Sequence, residues 1–132
     1  MSQTLAYRMD HIHIYCTDTA ASEKWLVEGM GGEVVRRRVG PGNTPQVDVQ
    51  IGGVKIFLRG AFPGESFGPA GPSRYGNDHF GLKVENLHAT IEELKRRGVE
   101  IESEPRQAGP GLQIAFVRGP DQVRVELLQR DG

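Results

Sequence analysis

The chain has 132 residues, with 16 basic and 17 acidic side chains and a single cysteine, Cys16. This length suits one domain, or two small modules that share a core. The balanced charge argues against nucleic acid as a partner. No apolar run reaches the ~20 residues of a membrane span, and the Met1-Ser-Gln-Thr start does not resemble a signal peptide. One cysteine forms no disulfide within the chain, which fits a reducing compartment. We therefore predict a cytoplasmic protein that binds neither membranes nor nucleic acid.

The first module is predicted over residues 8–60. Alternating residues at 9–16 indicate a strand. Asp18 is a candidate N-cap for a helix over 19–30, which Gly31 and Gly32 end. Three strands are expected to follow, at 33–39, 46–51 and 54–59, with a hairpin at Gly52-Gly53.

The same order recurs over residues 77–130. His79 repeats His11 at a distance of 68 positions, and in each case an Asx residue, Asp18 or Asn86, follows seven positions later. A helix is predicted from Asn86 to Arg97, and Gly98 ends it. Strands are expected at 100–104, 112–118 and 123–129. The segment 60–77 is rich in glycine and proline and joins the modules as a linker, a lid, or both.

Polar residues occupy one face of the opening and closing strands of both modules. The opposite face is apolar, as expected where a helix covers it. The polar set is His11, His13, Tyr15, Lys55, His79, Lys83, Arg124 and Glu126. On an open sheet these side chains would be ordinary solvated residues, whereas in a sheet curved into a cup they would line a cavity. Arg36, Arg37 and Arg38 are interpreted as an edge or a solvated face rather than a binding site.

Four short motifs, taken in order, resemble those of the vicinal oxygen chelate superfamily of glyoxalases, bleomycin resistance proteins and extradiol dioxygenases. They are Asp10-His11-Ile-His-Ile, the helix end Glu28-Gly-Met-Gly-Gly32, Asp78-His79-Phe-Gly-Leu-Lys-Val and Val123-Arg-Val-Glu126-Leu-Leu. The resemblance implies a single α+β domain over 1–132. In that fold, two βαβββ modules form a cup-shaped mixed sheet with helices on the outer face. It also implies a homodimer that acts on a small molecule.

The resemblance further implies a divalent metal held by His11, His79 and Glu126. The usual fourth ligand position falls on Phe57, which cannot ligate. Three protein ligands would leave positions for two substrate oxygens and for dioxygen, and two histidines with one carboxylate are typical of non-haem iron(II) oxygenases. We therefore favour Fe(II) and an extradiol-type dioxygenase.

Two other functions stay open at this point. His13, Gln46, Gln50 or a water could complete the metal shell, which would favour a glyoxalase-type lyase, isomerase or epimerase with Zn, Ni, Co or Mn. The chain could also be a metal-free drug-binding protein of the bleomycin-resistance type.

The remaining polar residues are assigned supporting roles. His13 lies two residues from His11 on the same strand face, about 6–7 Å away, and is the first candidate for acid–base catalysis. Tyr15 is the second. Four residues are predicted to contact substrate: Phe57, Lys83, Arg124 and, beside the glycine-rich segment, Tyr75.

Overall fold

Two modules with the same order of elements make up the computed structural model, which describes residues 5–69 and 75–131. The first module contains β1 (His11–Tyr15), α1 (Thr19–Lys24), β2 (Glu33–Gly40), β3 (Thr44–Ile51) and β4 (Val54–Arg59). The second contains β5 (Phe80–Lys83), α2 (Leu87–Arg96), β6 (Glu100–Gly109), β7 (Leu112–Arg118) and β8 (Arg124–Arg130). The predicted βαβββ order is confirmed in both modules.

Each module forms its own four-stranded sheet. The strand orders are β1-β4-β3-β2 and β5-β8-β7-β6. The first strand of each module runs parallel to the last, and the other pairs are antiparallel. The α+β class and the mixed character of the sheets are therefore confirmed.

Helix starts are set by the predicted caps. The carboxylate of Asp18 accepts a hydrogen bond from Ala21 N at 3.1 Å, and the side chain of Asn86 accepts one from Ala89 N at 3.0 Å. Both caps have extended backbone and satisfy an amide that has no partner within the helix.

Two predicted boundaries differ from the structure. The predicted helix over 19–30 is α-helical only to Lys24 and continues as a π-helical turn, Trp25–Gly29, in which Met30 N donates to Trp25 O at 2.9 Å. Apolar spacing does not distinguish this wider turn from an α-helix.

The strand predicted at 100–104 runs on to Gly109. It contains Pro105, which is tolerated because β6 is an edge strand with a bulge at this point.

The apolar face of each sheet is buried under its helical segment. One cluster includes Leu26, Val49 and Ile56, and the other includes Leu87 and Val125. Trp25 and Phe80 pack against both clusters and so connect the two modules. Within the described residues, no helix is long and apolar enough to cross a membrane.

The contact between Trp25 and the backbone at Gly119 provides a test of this junction. A methyl group at Gly119 would lie 2.6 Å from two Trp25 ring atoms, well inside van der Waals contact. We expect Gly119→Ala to lower the free energy of unfolding by about 1–3 kcal/mol, because the indole would have to leave its packed position. Urea denaturation of the purified protein measures this change.

The matched control is Gly109→Ala, since no atom lies within 4 Å of a methyl group placed there. Equal stability of the two variants would contradict the assigned role of Trp25 at the junction.

Candidate functional site

The polar faces of the two sheets carry the predicted site residues in cross-strand rows. In the first sheet, His13 lies opposite Phe57, which lies opposite Asp48. In the second sheet, Gly81 lies opposite Glu126, which lies opposite Phe116. Strand register therefore decides which side chains are neighbours on each face.

His11 is held by two contacts on the first sheet. Its Nδ1 lies 2.7 Å from Asp10 Oδ2, and its ring stacks on Phe57 with centroids 4.0 Å apart. The hydrogen bond from His11 lowers the pKa of Asp10, so the carboxyl is ionised and can only accept. In the neutral form of the imidazole this bond places the proton on Nδ1 and leaves the lone pair on Nε2.

His79 repeats this arrangement on the second sheet and adds a carboxylate neighbour. Its Nδ1 lies 2.8 Å from Asp78 Oδ2, and its Nε2 lies 3.1 Å from Glu126 Oε1. The hydrogen bond from His79, together with the charge of Arg124, lowers the pKa of Asp78. Two ligand atoms bound about 2.1 Å from one ion at a right angle lie about 3.0 Å apart. The observed spacing and the donor types therefore fit two ligands of a single divalent metal.

Arg124 lies behind His79 and is held by carboxylates. Its Nε donates to both oxygens of Glu102, at 3.0 and 2.9 Å, and its Nη1 donates to Asp78. The guanidinium also lies over the Phe116 ring, 4.4 Å from the centroid. The structure thus places Arg124 in a network of ion pairs, and its role in binding a substrate anion stays a prediction.

The acidic and the aromatic residue of each polar face occupy opposite strands in the two modules. On the first sheet the aromatic residue is on the last strand (Phe57) and the acid is on the neighbouring β3 (Asp48). On the second sheet the acid is on the last strand (Glu126) and the aromatic residue is on β7 (Phe116). The two halves of the repeat are therefore chemically different, although their backbones match.

Sequence reasoning missed the pair of Asp48 and Arg38. Asp48 is 4% exposed and accepts a hydrogen bond from Arg38 Nη2 at 2.6 Å, while the Arg38 guanidinium lies 5.0 Å from the Phe57 centroid. Strand β2 is an edge strand, as interpreted, but Arg38 points to the site face. Strand alternation in β3, which places Gln46, Asp48 and Gln50 on one face, was the available signal.

His13 lies among aromatic rings and cations. Its ring centroid is 6.5 Å from that of His11 and 5.4 Å from that of Tyr15. Partial burial lowers its pKa, and the charges of Arg59, His11 and Arg38 lower it further. His13 is therefore neutral at neutral pH, in the form that can accept a proton.

The start of the segment 60–77 folds over the end of the first sheet. Arg59 Nη1 donates to Glu65 Oε1 at 2.6 Å, and its guanidinium lies between the rings of Tyr15 and Phe62, 4.7 and 3.8 Å from their centroids. Phe67 stacks on Tyr15 at 4.0 Å. Of these residues, Tyr15, Glu65 and Phe67 form one wall of an open cleft of about 850 Å³.

Other predicted residues lie apart from this cluster. Lys83 is exposed on β5, and Tyr75 is fully exposed, so the proposed contacts of these side chains with substrate stay predictions.

His13 and His79 line a second open cleft of about 300 Å³ between the modules. Within residues 5–69 and 75–131, no three His, Cys, Asp or Glu side chains lie close enough to share a metal. One chain therefore brings His79 to Glu126 but does not bring His11 to them.

Comparison with known proteins identifies relatives over most of the chain. The family model described as the glyoxalase/bleomycin resistance protein/dioxygenase superfamily matches residues 8–127. An uncharacterized Bacillus subtilis protein, YwkD, is 28% identical over 124 residues, covering 91% of this chain and 94% of that protein. A glyoxalase family protein from Enterococcus faecalis has a similar structure, with a TM-score of 0.77 at 26% identity over 92% of this chain and 96% of that one.

A shorter match links the chain to an enzyme. A probable chloroplastic lactoylglutathione lyase of Arabidopsis thaliana is 38% identical over 56 residues. The match covers 42% of this chain and 16% of the plant protein. It therefore describes one module-sized segment rather than the whole enzyme.

The Arg59–Glu65 pair predicts how the cleft wall is held. Glu65 Oε1 also accepts a hydrogen bond from Phe62 N at 2.8 Å. We expect Glu65→Ala to speed hydrogen exchange of the Phe62 amide roughly tenfold, because a charge-assisted bond is lost. The control is Glu92→Ala, which removes an exposed helix carboxylate. Unchanged exchange at Phe62 would contradict the role given to Glu65.

Acid should loosen the same wall. The hydrogen bond from Arg59 lowers the pKa of Glu65 below its ordinary value of 4.5. The stabilisation is therefore complete above pH 4.5 and is lost as the pH falls through the lower, folded-state pKa. We expect nuclear Overhauser contacts between Tyr15 and Phe67 to weaken over that range in the native protein. Contacts that persist after Glu65 has become protonated would argue against this link.

Proposed function

Because the chain belongs to the glyoxalase/bleomycin resistance protein/dioxygenase superfamily, we propose that it is a cytoplasmic, homodimeric, metal-dependent enzyme acting on a small molecule. His11 of one chain and His79 and Glu126 of the other are the proposed ligands. The observation that carries the proposal is the pair His79 Nε2 and Glu126 Oε1, 3.1 Å apart, while His11 lies on the other sheet of the same chain.

Assembly across two chains is supported by the separation of the two polar faces. No group of three ligand-type side chains is found within the described part of one chain. The first face is also open, because Tyr15 is 49% exposed and Phe67 is 42% exposed. In a twofold dimer, the first module of one chain can face the second module of its partner, and symmetry then repeats the site. Each chain would contribute to both sites.

The protein ligands would number three. The Phe57 ring stacks on His11 where a fourth ligand would otherwise lie. When bound in such a site, iron(II) supplies activation of dioxygen, and Fe(II) is favoured for this reason. The two Asp–His hydrogen bonds set both Nε2 lone pairs free to bind the metal. The leading reaction is therefore extradiol-type ring opening of a catechol-like substrate.

Side chains around the proposed metal handle the substrate and its protons. Neutral His13 accepts a proton at a ring nitrogen, as its lowered pKa permits. The Tyr15 hydroxyl accepts a hydrogen bond from Arg59 Nη2 at 3.4 Å, which leaves its own proton available to a substrate oxygen. Phe57 offers a ring face, and Lys83, Arg124 and Tyr75 are the further proposed substrate contacts.

A lyase, isomerase or epimerase is the second candidate, supported by the 38% identity over 56 residues with the probable lactoylglutathione lyase. Gln46 and Gln50 lie on the same sheet face as His11 and could complete the shell of Zn, Ni, Co or Mn. A metal-free drug-binding protein is the third candidate, because the Tyr15–Phe67 stack gives the large cleft an aromatic wall.

Mixed dimers test assembly across chains. A chain carrying His11→Ala, co-expressed with one carrying Glu126→Ala, yields a heterodimer with one intact site and one site that lacks both ligands. With different tags free of histidine on the two chains, the isolated heterodimer is expected to hold about half the tightly bound metal of the wild-type dimer. Metal analysis after desalting measures this fraction.

The matched control combines His79→Ala with Glu126→Ala, both in the second module, so that neither site is intact. We expect this pair to retain no tightly bound metal. Equal metal retention by the two heterodimers would contradict a site shared between chains.

Oxygen consumption distinguishes the leading reaction from the second candidate. The protein is loaded anaerobically with iron(II) and then mixed with oxygen over a panel of catechols. We expect stoichiometric oxygen uptake with at least one catechol, abolished in Glu126→Ala. Bound iron without uptake on any catechol would rule against the dioxygenase, and oxygen-independent turnover of a thiohemiacetal would favour the lyase.

A further inference from the structure

Each proposed histidine ligand follows an aspartate in the sequence, and each is bound by that aspartate through Nδ1. The distances are 2.7 Å for Asp10–His11 and 2.8 Å for Asp78–His79. A carboxylate on Nδ1 fixes both the tautomer and the orientation of a ligating imidazole. The two halves of the proposed site thus share one local arrangement, a histidine held by the preceding aspartate.

Only one of these aspartates is itself clamped by a cation. Asp78 accepts a hydrogen bond from Arg124, and both oxygens of Glu102 hold the Nε of Arg124 at 2.9–3.0 Å. Arg118 supports Glu102 from the other side at 3.2 Å. Asp10 has His11 as its one hydrogen-bond partner in the described part of the chain. Its side chain is 81% exposed, against 54% for Asp78.

Aromatic rings contact both histidines, since His11 stacks on Phe57 with centroids 4.0 Å apart. Phe116 meets the His79 ring edge-on, with centroids 4.9 Å apart, and its own face lies under Arg124. His79 is therefore fixed by Asp78 at one nitrogen and by Phe116 at its side. The second ligand, Glu126, stands opposite Phe116 in the sheet register. Both ligands of the second module thus belong to one group of residues that support each other's positions.

We propose that Asp78 and Arg124 are positioning residues that hold His79 and Glu126 as a preorganised half-site, which binds the metal first. His11 of the partner chain then completes the shell. This inference rests on the proposed function, since it assumes the His11, His79 and Glu126 ligand set. It adds a positioning role, through Asp78, to the proposed contact of Arg124 with substrate.

The test compares the two aspartates in the same protein. Asp78→Asn keeps the shape but loses the charge that Arg124 and His79 share, so its metal Kd should rise about 10–100-fold. Asp10→Asn makes the same change on the exposed, unclamped side and should raise the Kd by no more than about threefold. Arg124→Lys should resemble Asp78→Asn, because an ammonium cannot bridge two carboxylates in a fixed fork.

The measurement is a cobalt(II) titration of the chelator-stripped dimer against a chromophoric chelator. Thermal unfolding of each apo dimer shows whether a variant is folded. Glu102→Gln serves as a second variant, because it weakens the hold on Arg124 without changing Asp78 or either ligand. The visible cobalt spectrum also shows in which order the ligands bind the metal. His11→Ala should still bind cobalt weakly with a changed spectrum, whereas His79→Ala should show no cobalt absorption.

The outcomes separate this inference from the function on which it rests. Equal effects of Asp78→Asn and Asp10→Asn in folded dimers, or cobalt binding by His79→Ala but not His11→Ala, would overturn the half-site while leaving the metal enzyme intact. A wild-type dimer that binds no cobalt at all would overturn both.

Discussion

One face of each four-stranded sheet is buried under a helical segment, and the other is covered only in part by the described residues. This constraint determines the candidate site. Alternation along β1 and β5 sends apolar residues such as Ile14 and Leu82 towards the core and sends His11, His13 and Lys83 to the opposite face. Burying those polar side chains requires hydrogen-bond partners, ions or a facing surface. The dimer proposed above would supply that facing surface.

The repeat is symmetric in backbone and asymmetric in chemistry. Each module positions a histidine with the preceding aspartate, yet the acid and the aromatic ring occupy exchanged strands. In the first module, Phe57 stacks on His11 and the buried acid, Asp48, is occupied by Arg38. In the second module, Glu126 is left facing His79 Nε2. A site assembled from one half of each kind would have an aromatic wall on one side and a carboxylate on the other.

Interactions between distant residues account for what sequence reasoning missed. Arg38 was interpreted with its neighbours as part of an edge or a solvated face. It lies opposite Gln46 in the register, but its guanidinium reaches diagonally to Asp48 and lies over Phe57. The clamp on Asp78 joins Glu102 of β6 to Arg124 of β8, and β7 lies between these strands in the sheet. Phe67, in a segment without regular structure, covers Tyr15, and Glu65 of the same segment pairs with Arg59 at the end of β4. None of these contacts follows from periodicity, because each depends on how strands are ordered and where a loop turns.

The sequence by itself determined the βαβββ repeat, both N-caps, the hairpin glycines and the face on which the histidines lie. Each of these depends on interactions within a few residues or on strand alternation. Only the tertiary structure decided that His79 meets Glu126 and that His11 does not meet them within one chain. The reason is that packing through Trp25 and Phe80 sets the relation between the two modules, and this long-range contact leaves no periodic signal in either module.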